Sequence, residues 1–588
     1  MNRRQLLAGA ASTAAVAGAV MGGPAWAGPA AGADADARLA AMLERHAQTL
    51  SGFGGWGGPV GDRSLEGRAR IRQENTGRIA DLAALDQTAL SPAARLDFDT
   101  AAFVYGVLDD QLARPGTIDL DLRPSPYVVS QMNGAYYWLP STIGGGLPTA
   151  DAAGREAYME AIPALAVGID QETDRILHDG ALGVTPPDFI LAATLAQVRG
   201  LRDSTPQANA LLAPAFALTD AGDLAARAAA QFDQLVRPAL DRQAAALETL
   251  VARANDSAGV WAQPDGEANY ASSVRANTTT SFAPAELHRM GLEWVRELSA
   301  EIDHDLKALG LSEGTVGQRI AALNVDPRFL QPDTDAGRAA IKHQAEVLLA
   351  DSRARLPRAF ARVVDAPVEV RRIPLTSQDS SPIAFYNGAR NGGPGGVLLN
   401  LKTPSDLPSW RLPTLVHHEG VPGHHTQYAV LDDAGGLSLF RRTVRFSAWT
   451  EGWALYAEHM ADEIGAYEND PLGRVGYLQA QLWRAARVVV DTGIHHERWS
   501  REQAIGYMVD VVGELRGPTE REVDRYCVYP GQACCFMVGK QQITASREAA
   551  RRVMGGRFDL RNYNDLVLRS GPLPMEVLDA MVKQWSAA

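Results

Sequence analysis

Apolar residues recur at every third or fourth position through most of this chain, and that period restricts it to a fold built on amphipathic helices. The pattern runs through Ala153 to His178, Leu224 to Arg253, and Ala285 to Leu309, where Leu287, Met290, Leu292, Val295, Leu298 and Ile302 form one stripe. Pro284 stands where the last of these should begin, because a proline at the first helical position loses no hydrogen bond. Pro238 should kink or divide the second. Strand-like text is brief: Val368 to Ile373, and Val397 to Leu401 after the turn-rich Gly388 to Gly396. The expectation is a mainly α protein with a small β-sheet. With 588 residues, 46% apolar and 21% charged, the chain can bury a sizeable core. We expect two lobes, a helical one over residues 28–280 and a second over residues 281–588, with no internal repeat.

The first residues read as an address. Arg3-Arg4 precede Gln5-Leu6-Leu7, an Ala/Gly-rich apolar run, and Ala25-Trp26-Ala27, which together make a twin-arginine export signal over residues 1–27. The alternative is a membrane anchor, but Gly, Ser and Thr break the run and a small-x-small cleavage pattern ends it. No cysteine lies near that point, so no lipid anchor is expected, and the mature chain should be periplasmic or secreted. The formal net charge of -13 falls by two more when Arg3 and Arg4 leave, which disfavours nucleic acid and anionic membranes as partners. Cys527, Cys534 and Cys535 are an odd number in one segment, better read as buried small residues than as a disulfide framework. The glycine run Gly52 to Pro59 lacks the Lys-Ser/Thr of a phosphate-binding loop and reads as a plain loop.

Twelve histidines are present, and four of them (His417, His418, His424 and His425) fall within nine residues that also hold Glu419. Neutral imidazole is the commonest zinc ligand, and a catalytic zinc takes three protein ligands and leaves a fourth position for water. The usual helical arrangement is His-Glu-x-x-His, whose spacing of four puts both imidazoles on one face. Here Pro422 stands four residues after His418, and the next histidine is six away. On a straight helix that is about 240° round and about 9 Å along, too far for one ion. Pro422 cannot donate to the His418 carbonyl and Gly423 tolerates unusual backbone, so the helix must kink or bulge here. Such a distortion could bring His424 back to His418. The alternative pair, His418 and His425, shares a face but lies two turns apart.

The run His418-Glu419-Gly420-Val421-Pro422-Gly423-His424-His425-Thr426-Gln427, then Thr450-Glu451-Gly452-Trp453-Ala454-Leu455-Tyr456-Ala457-Glu458 and Asp491-Thr492-Gly493-Ile494-His495, resembles the bacterial exported domain-of-unknown-function family 885. That family is distantly similar to the helical gluzincin zinc peptidases of the oligopeptidase and angiotensin-converting-enzyme type. The resemblance implies a two-lobed helical metallopeptidase-like fold with a small sheet beside the active-site helix. It also implies a single Zn2+ on His418, His424 and Glu451, which lies 27 residues past His424. Glu458, seven residues further along the same helix face, would support a ligand histidine or exchange roles with Glu451.

By the same resemblance Glu419 is the general base that takes a proton from metal-bound water and returns it to the leaving amine. A donor to the developing oxyanion is then required, for which His495 and Tyr526 are favoured, with Tyr529 and Gln532 as fallbacks. Asp491 and Asn400 are assigned to supporting or substrate-binding positions. Val397 to Leu401 resembles the edge strand that such peptidases pair with a substrate backbone, or is an ordinary core strand. Arg484 and Arg487 could fork a substrate carboxylate, but pairing with Asp491 or Glu451 ranks first. The implied activity is hydrolysis of short or unfolded peptides. Hydrolysis of another amide or ester by the same site, and metal binding without catalysis, are the competing readings.

Overall fold

The computed structural model describes residues 33–588 apart from 51–60, 120, 148–150, 221, 379–380 and 390–392. The export signal read in residues 1–27 and the Gly52 to Pro59 loop lie outside the described residues. Helix starts follow local chemistry. Ser91 accepts the Ala94 N–H ahead of Pro92–Leu112, and Ser500 and Gln503 form a reciprocal capping box on Arg501–Val512. Pro284 opens the Pro284–Ala308 helix at its first position. The Leu224 stretch is divided, but just ahead of Pro238: Leu224–Gln231 passes through a π turn at Phe232–Val236 into Arg237–Val251. The wider turn absorbs the hydrogen bond that Pro238 cannot make.

The protein is mainly helical with small sheets. Its buried apolar side chains form two clusters. The larger joins the helices Ala33–Leu50 and Pro92–Leu112 to residues from Val260 to the C-terminal helix Met575–Ala587. Arg441, fully buried, ties these together by donating to Asp97 at 2.9 Å and to the carbonyl of Pro572. The smaller cluster is local to residues 128–250, where Ala135–Gly146, Ala152–Ala181, Asp188–Asp203 and Arg237–Val251 pack on one another. No helix among the described residues is long and apolar enough to cross a membrane. The three cysteines are buried and unpaired.

At the centre of the larger cluster lies Ser447–Glu463, packed against Leu412–Glu419, Pro471–His495 and Cys535–Met554. It crosses the last of these at Gly452 and Gly539, where a Cβ on Gly452 would stand 2.6 Å from the Gly539 Cα. Only two glycines allow backbones that close.

The three-stranded sheet has Gly395–Leu399 in the middle, parallel to Val368–Arg372 and antiparallel to Ala384–Asn387. All five central residues are buried. The edge-strand expectation for Val397 to Leu401 therefore fails: both sides of that strand are already paired, and the outer strands are Val368–Arg372 and Ala384–Asn387. Asn400, just beyond, donates to the carbonyls of Gln378 and Ser381 at 2.7 and 3.2 Å, which fastens the connecting loop.

Candidate metal centre

The helix that begins at Leu412 stops at Glu419, and a second helix, His424–Ala434, begins five residues later. Between them the Val421–Pro422 peptide is cis. The chain doubles back so tightly that a Cβ on Gly423 would lie 1.9 Å from the His418 carbonyl oxygen and 2.3 Å from that of His417. Only glycine fits there. The result is an interruption, a sharper break than a bulge, and it sets the His418 and His424 rings 5.0 Å apart and nearly perpendicular at 84°. Both halves are pinned to the Ser447–Glu463 helix: Thr414 donates to Glu458 at 2.9 Å, the Trp453 indole to the Pro422 carbonyl at 3.1 Å, and Gln427 to the Trp449 carbonyl at 3.2 Å.

From that helix Glu451 reaches the two imidazoles. One carboxylate oxygen stands 3.6 Å from Nε2 of His418 and 3.6 Å from Nε2 of His424, and the three ligand atoms lie within 4.8 Å of one another. Edges of about 3.4 Å are what a tetrahedral ion with bonds of about 2.1 Å requires, and the two edges to Glu451 match a zinc-sized cation. Each imidazole is oriented by its other nitrogen. Nδ1 of His418 lies 2.7 Å from Glu458 Oε1, and Nδ1 of His424 lies 3.2 Å from Gln427 Oε1. Both Nε2 lone pairs are thereby turned to the centre.

Burial alone would push the Glu451 carboxyl up, but the two imidazoles outweigh it and hold the group well below the usual carboxylate range. Burial likewise opposes charge on His418, yet the carboxylates of Glu451 and Glu458 raise it to about 9. Glu458 is 1% exposed; burial would raise it, and Arg484 and His418 keep it lowered. Glu419, also buried, follows His418 directly, and its carboxylate has no hydrogen bond or ion pair among the described residues.

The outer histidines of the cluster do other work. His417 Nδ1 lies 2.9 Å from the Tyr467 hydroxyl; His425 faces the Tyr386 hydroxyl with Nδ1 and the Ala366 carbonyl with Nε2. Burial holds both near pKa 4, hence neutral. The His418 and His425 pairing is excluded, since both ring nitrogens of His425 are committed away from the triad.

Several residues expected at the site are spent elsewhere. The Val260 N–H donates to Nδ1 of His495 at 3.0 Å, which leaves Nε2–H to donate to the Tyr526 carbonyl at 3.0 Å. His495 is therefore a neutral bridge between backbone segments and has no donor left for an oxyanion. The Tyr526 hydroxyl donates to Glu522 at 3.1 Å, and that of Tyr529 to the Met132 carbonyl at 3.0 Å. Gln532 accepts from Arg525 at 2.6 Å. Asp491, fully buried, accepts from the Tyr270 hydroxyl at 2.7 Å and the Gly531 N–H at 2.9 Å, a structural clasp. Neither arginine pairs as expected: Arg484 lies 3.8 Å from Glu458, and Arg487 meets no carboxylate among the described residues.

Tyr428 was not anticipated. It stands one turn after His424, with ring centroids 6.5 Å apart, and stacks on Tyr386 at 5.8 Å. Its hydroxyl has no hydrogen-bond partner among the described residues. Burial raises its pKa, Arg445 opposes, and the charges of Glu451 and Asp121 raise it further, which places the phenol in the field of the triad. The signal was its spacing of four from His424, the interval that puts two side chains on one helix face.

Two solved structures share this fold, each described as a putative lipoprotein. The one from Colwellia psychrerythraea superposes with a TM-score of 0.85 at 30% identity, over 95% of this chain and 99% of its own. The one from Shewanella oneidensis gives 0.62 at 17% identity, over 94% and 99%. No curated protein sequence matches the chain. Residues 47–582 match the profile of a family described as bacterial protein of unknown function, DUF885, and the chain belongs to that family.

Proposed function

We propose that this chain is a zinc-dependent hydrolase that cleaves peptide bonds in short or unfolded peptides. The observation that carries the proposal is the convergence of His418 Nε2 and His424 Nε2 on one oxygen of Glu451, with Glu419, unpaired among the described residues, next to His418 in the chain and acting on it by its charge. Zinc held by these three residues would lower the pKa of a bound water towards about 7 and polarise a carbonyl. Glu419 takes the proton from the attacking water and delivers it to the leaving amine. Tyr428 donates its unpartnered hydroxyl to the carbonyl oxygen as charge develops there, the role first sought in His495 and Tyr526. Glu458 holds His418 in the tautomer that leaves Nε2 bare.

An extended peptide adds to the outer strand Ala384–Asn387, whose Tyr386 stacks on Tyr428, so binding rests on main-chain hydrogen bonds and tolerates sequence. The resemblance to gluzincins supports a two-lobed frame. Export by the twin-arginine route completes the reading: Arg3-Arg4 support the route, and the putative-lipoprotein description of the Colwellia psychrerythraea relative supports export itself. Glu419→Gln tests it: the variant should keep a full complement of zinc and lose at least about 10²-fold in kcat on a peptide mixture read by mass spectrometry. A wild-type protein that holds zinc but cleaves no peptide, acyl-amide or ester would place the site among metal-binding proteins without catalysis.

A further inference from the structure

Two arginines stand one turn apart on the Pro471–His495 helix, and their surroundings treat them differently. Arg484 rests on the Trp483 ring at 4.8 Å and faces Glu458, the carboxylate that orients His418, at 3.8 Å. Arg487 rests on the same ring at 5.1 Å, on Phe536 at 4.2 Å and on Tyr526 at 5.4 Å. It is 2% exposed, yet its Nε and Nη2 have no hydrogen-bond partner among the described residues.

Those two nitrogens are one edge of the guanidinium, the edge that grips a carboxylate side-on with two parallel bonds. Elsewhere in this chain the same edge is used that way: Arg501 grips Asp524 and Arg242 grips Asp170 through Nε and Nη2. Carboxylates near Arg487 are already spent. Glu522 is held by Arg525 at 2.9 Å and by the Tyr526 hydroxyl, and Asp491 by Tyr270 and Gly531. Aromatic faces return only part of what it costs to bury a guanidinium, and a buried charge without an acceptor is the kind of group that a ligand completes. The position is close to the triad: Arg484 shares the Trp483 ring with Arg487 and touches the carboxylate behind His418, and the Cys535 thiol lies in the field of both Glu451 and Arg487.

We infer that the Nε–Nη2 edge of Arg487 receives a ligand carboxylate beside the metal centre, so that the preferred substrate carries a free C-terminal carboxylate near the bond that is cut. The second half rests on the peptidase reading; the first does not.

The test has two arms on the full mature chain, wild type against Arg487→Met and Arg487→Lys. In the binding arm, N-acetylglycine should bind at least about ten-fold more tightly to wild type than to Arg487→Met, and N-acetylglycinamide should not distinguish them. In the kinetic arm, wild type should cleave an acetylated tripeptide acid with kcat/KM about 10²-fold above its C-terminal amide. Arg487→Met should bring the acid down to the amide and leave the amide unchanged, with Arg487→Lys between. Arg487→Met should also melt no lower than wild type, because it removes an unpaired charge from among aromatic rings. A variant that melts several degrees lower and loses both substrates equally would show that Arg487 only holds the packing, and overturns the inference. Acid binding without acid preference in turnover gives the subsite to a free small carboxylate and overturns the substrate claim. If no peptide is cleaved by any form, the peptidase reading falls and the binding arm alone decides whether Arg487 is a carboxylate site.

Discussion

The proton on His418 governs when the triad can take a metal. With Glu451 and Glu458 on either side, the metal-free imidazole keeps its proton to about pH 9, against the pull of burial. A ligand nitrogen must be unprotonated, so below that pH the incoming ion displaces one proton. Apparent affinity should therefore rise about ten-fold per pH unit up to about pH 9 and then flatten. Calorimetry in two buffers of different ionisation enthalpy should find about one proton released at pH 7. In Glu458→Gln the release should fall and affinity should drop about 10–100-fold; an unchanged proton count would show that Glu458 does not set the protonation of His418. The proposed ligands stood out in the sequence because four imidazoles cluster there beside a carboxylate, although two of them, His417 and His425, bond to Tyr467 and Tyr386 instead. The oxyanion donor was not. His495 and Tyr526 sit in the right stretch of sequence, but their polar atoms go to backbone groups and to Glu522, and only coordinates reveal such partners. Tyr428, four residues past a ligand, looks in sequence like any aromatic on a buried helix face.

At the scale of elements, the centre depends on one break between two helices. The sequence announces it through Pro422 and Gly423, and the geometry adds why the second of these must be glycine: a Cβ there would overlap the His418 carbonyl. Gly423→Ala should push the two helix ends apart, weaken zinc binding at least ten-fold and lower the melting temperature of the metal-loaded protein, as measured by chelator competition and thermal unfolding. Unaltered zinc affinity would mean that the break is held by its pins to Trp453, Trp449 and Glu458 alone. The small sheet was harder to read. Val368–Arg372 alternates Val368 and Val370 with charged residues and Gly395–Leu399 ends in the apolar run Val397 to Leu399, but pairing partners do not show in composition, and Ala384–Asn387, lying in a polar, turn-rich stretch, was missed. It is the outer strand that meets the histidine segment, through Tyr386 against His425 and Tyr428. Helix spans fared better, with Pro284 marking a start to the residue, because caps and prolines act locally.

Over the whole molecule, packing distributes the chain in a way that periodicity could not disclose. Ala33–Leu50 and Pro92–Leu112 belong to the same core as the metal helices, whereas residues 128–250 bury a cluster of their own. An apolar stripe tells that a helix is covered, never by which partner. What the arrangement achieves is a triad of candidate ligands, His418, His424 and Glu451, carried by elements anchored on one buried helix, Ser447–Glu463. X-ray absorption at the zinc edge on the purified mature protein, with metal content measured on the same sample, tests this most directly. The account predicts one zinc per chain with two imidazole nitrogens and a carboxylate oxygen at about 2.0–2.2 Å. Protein that stays metal-free at saturating zinc, or zinc bound through sulfur at about 2.3 Å, would contradict it.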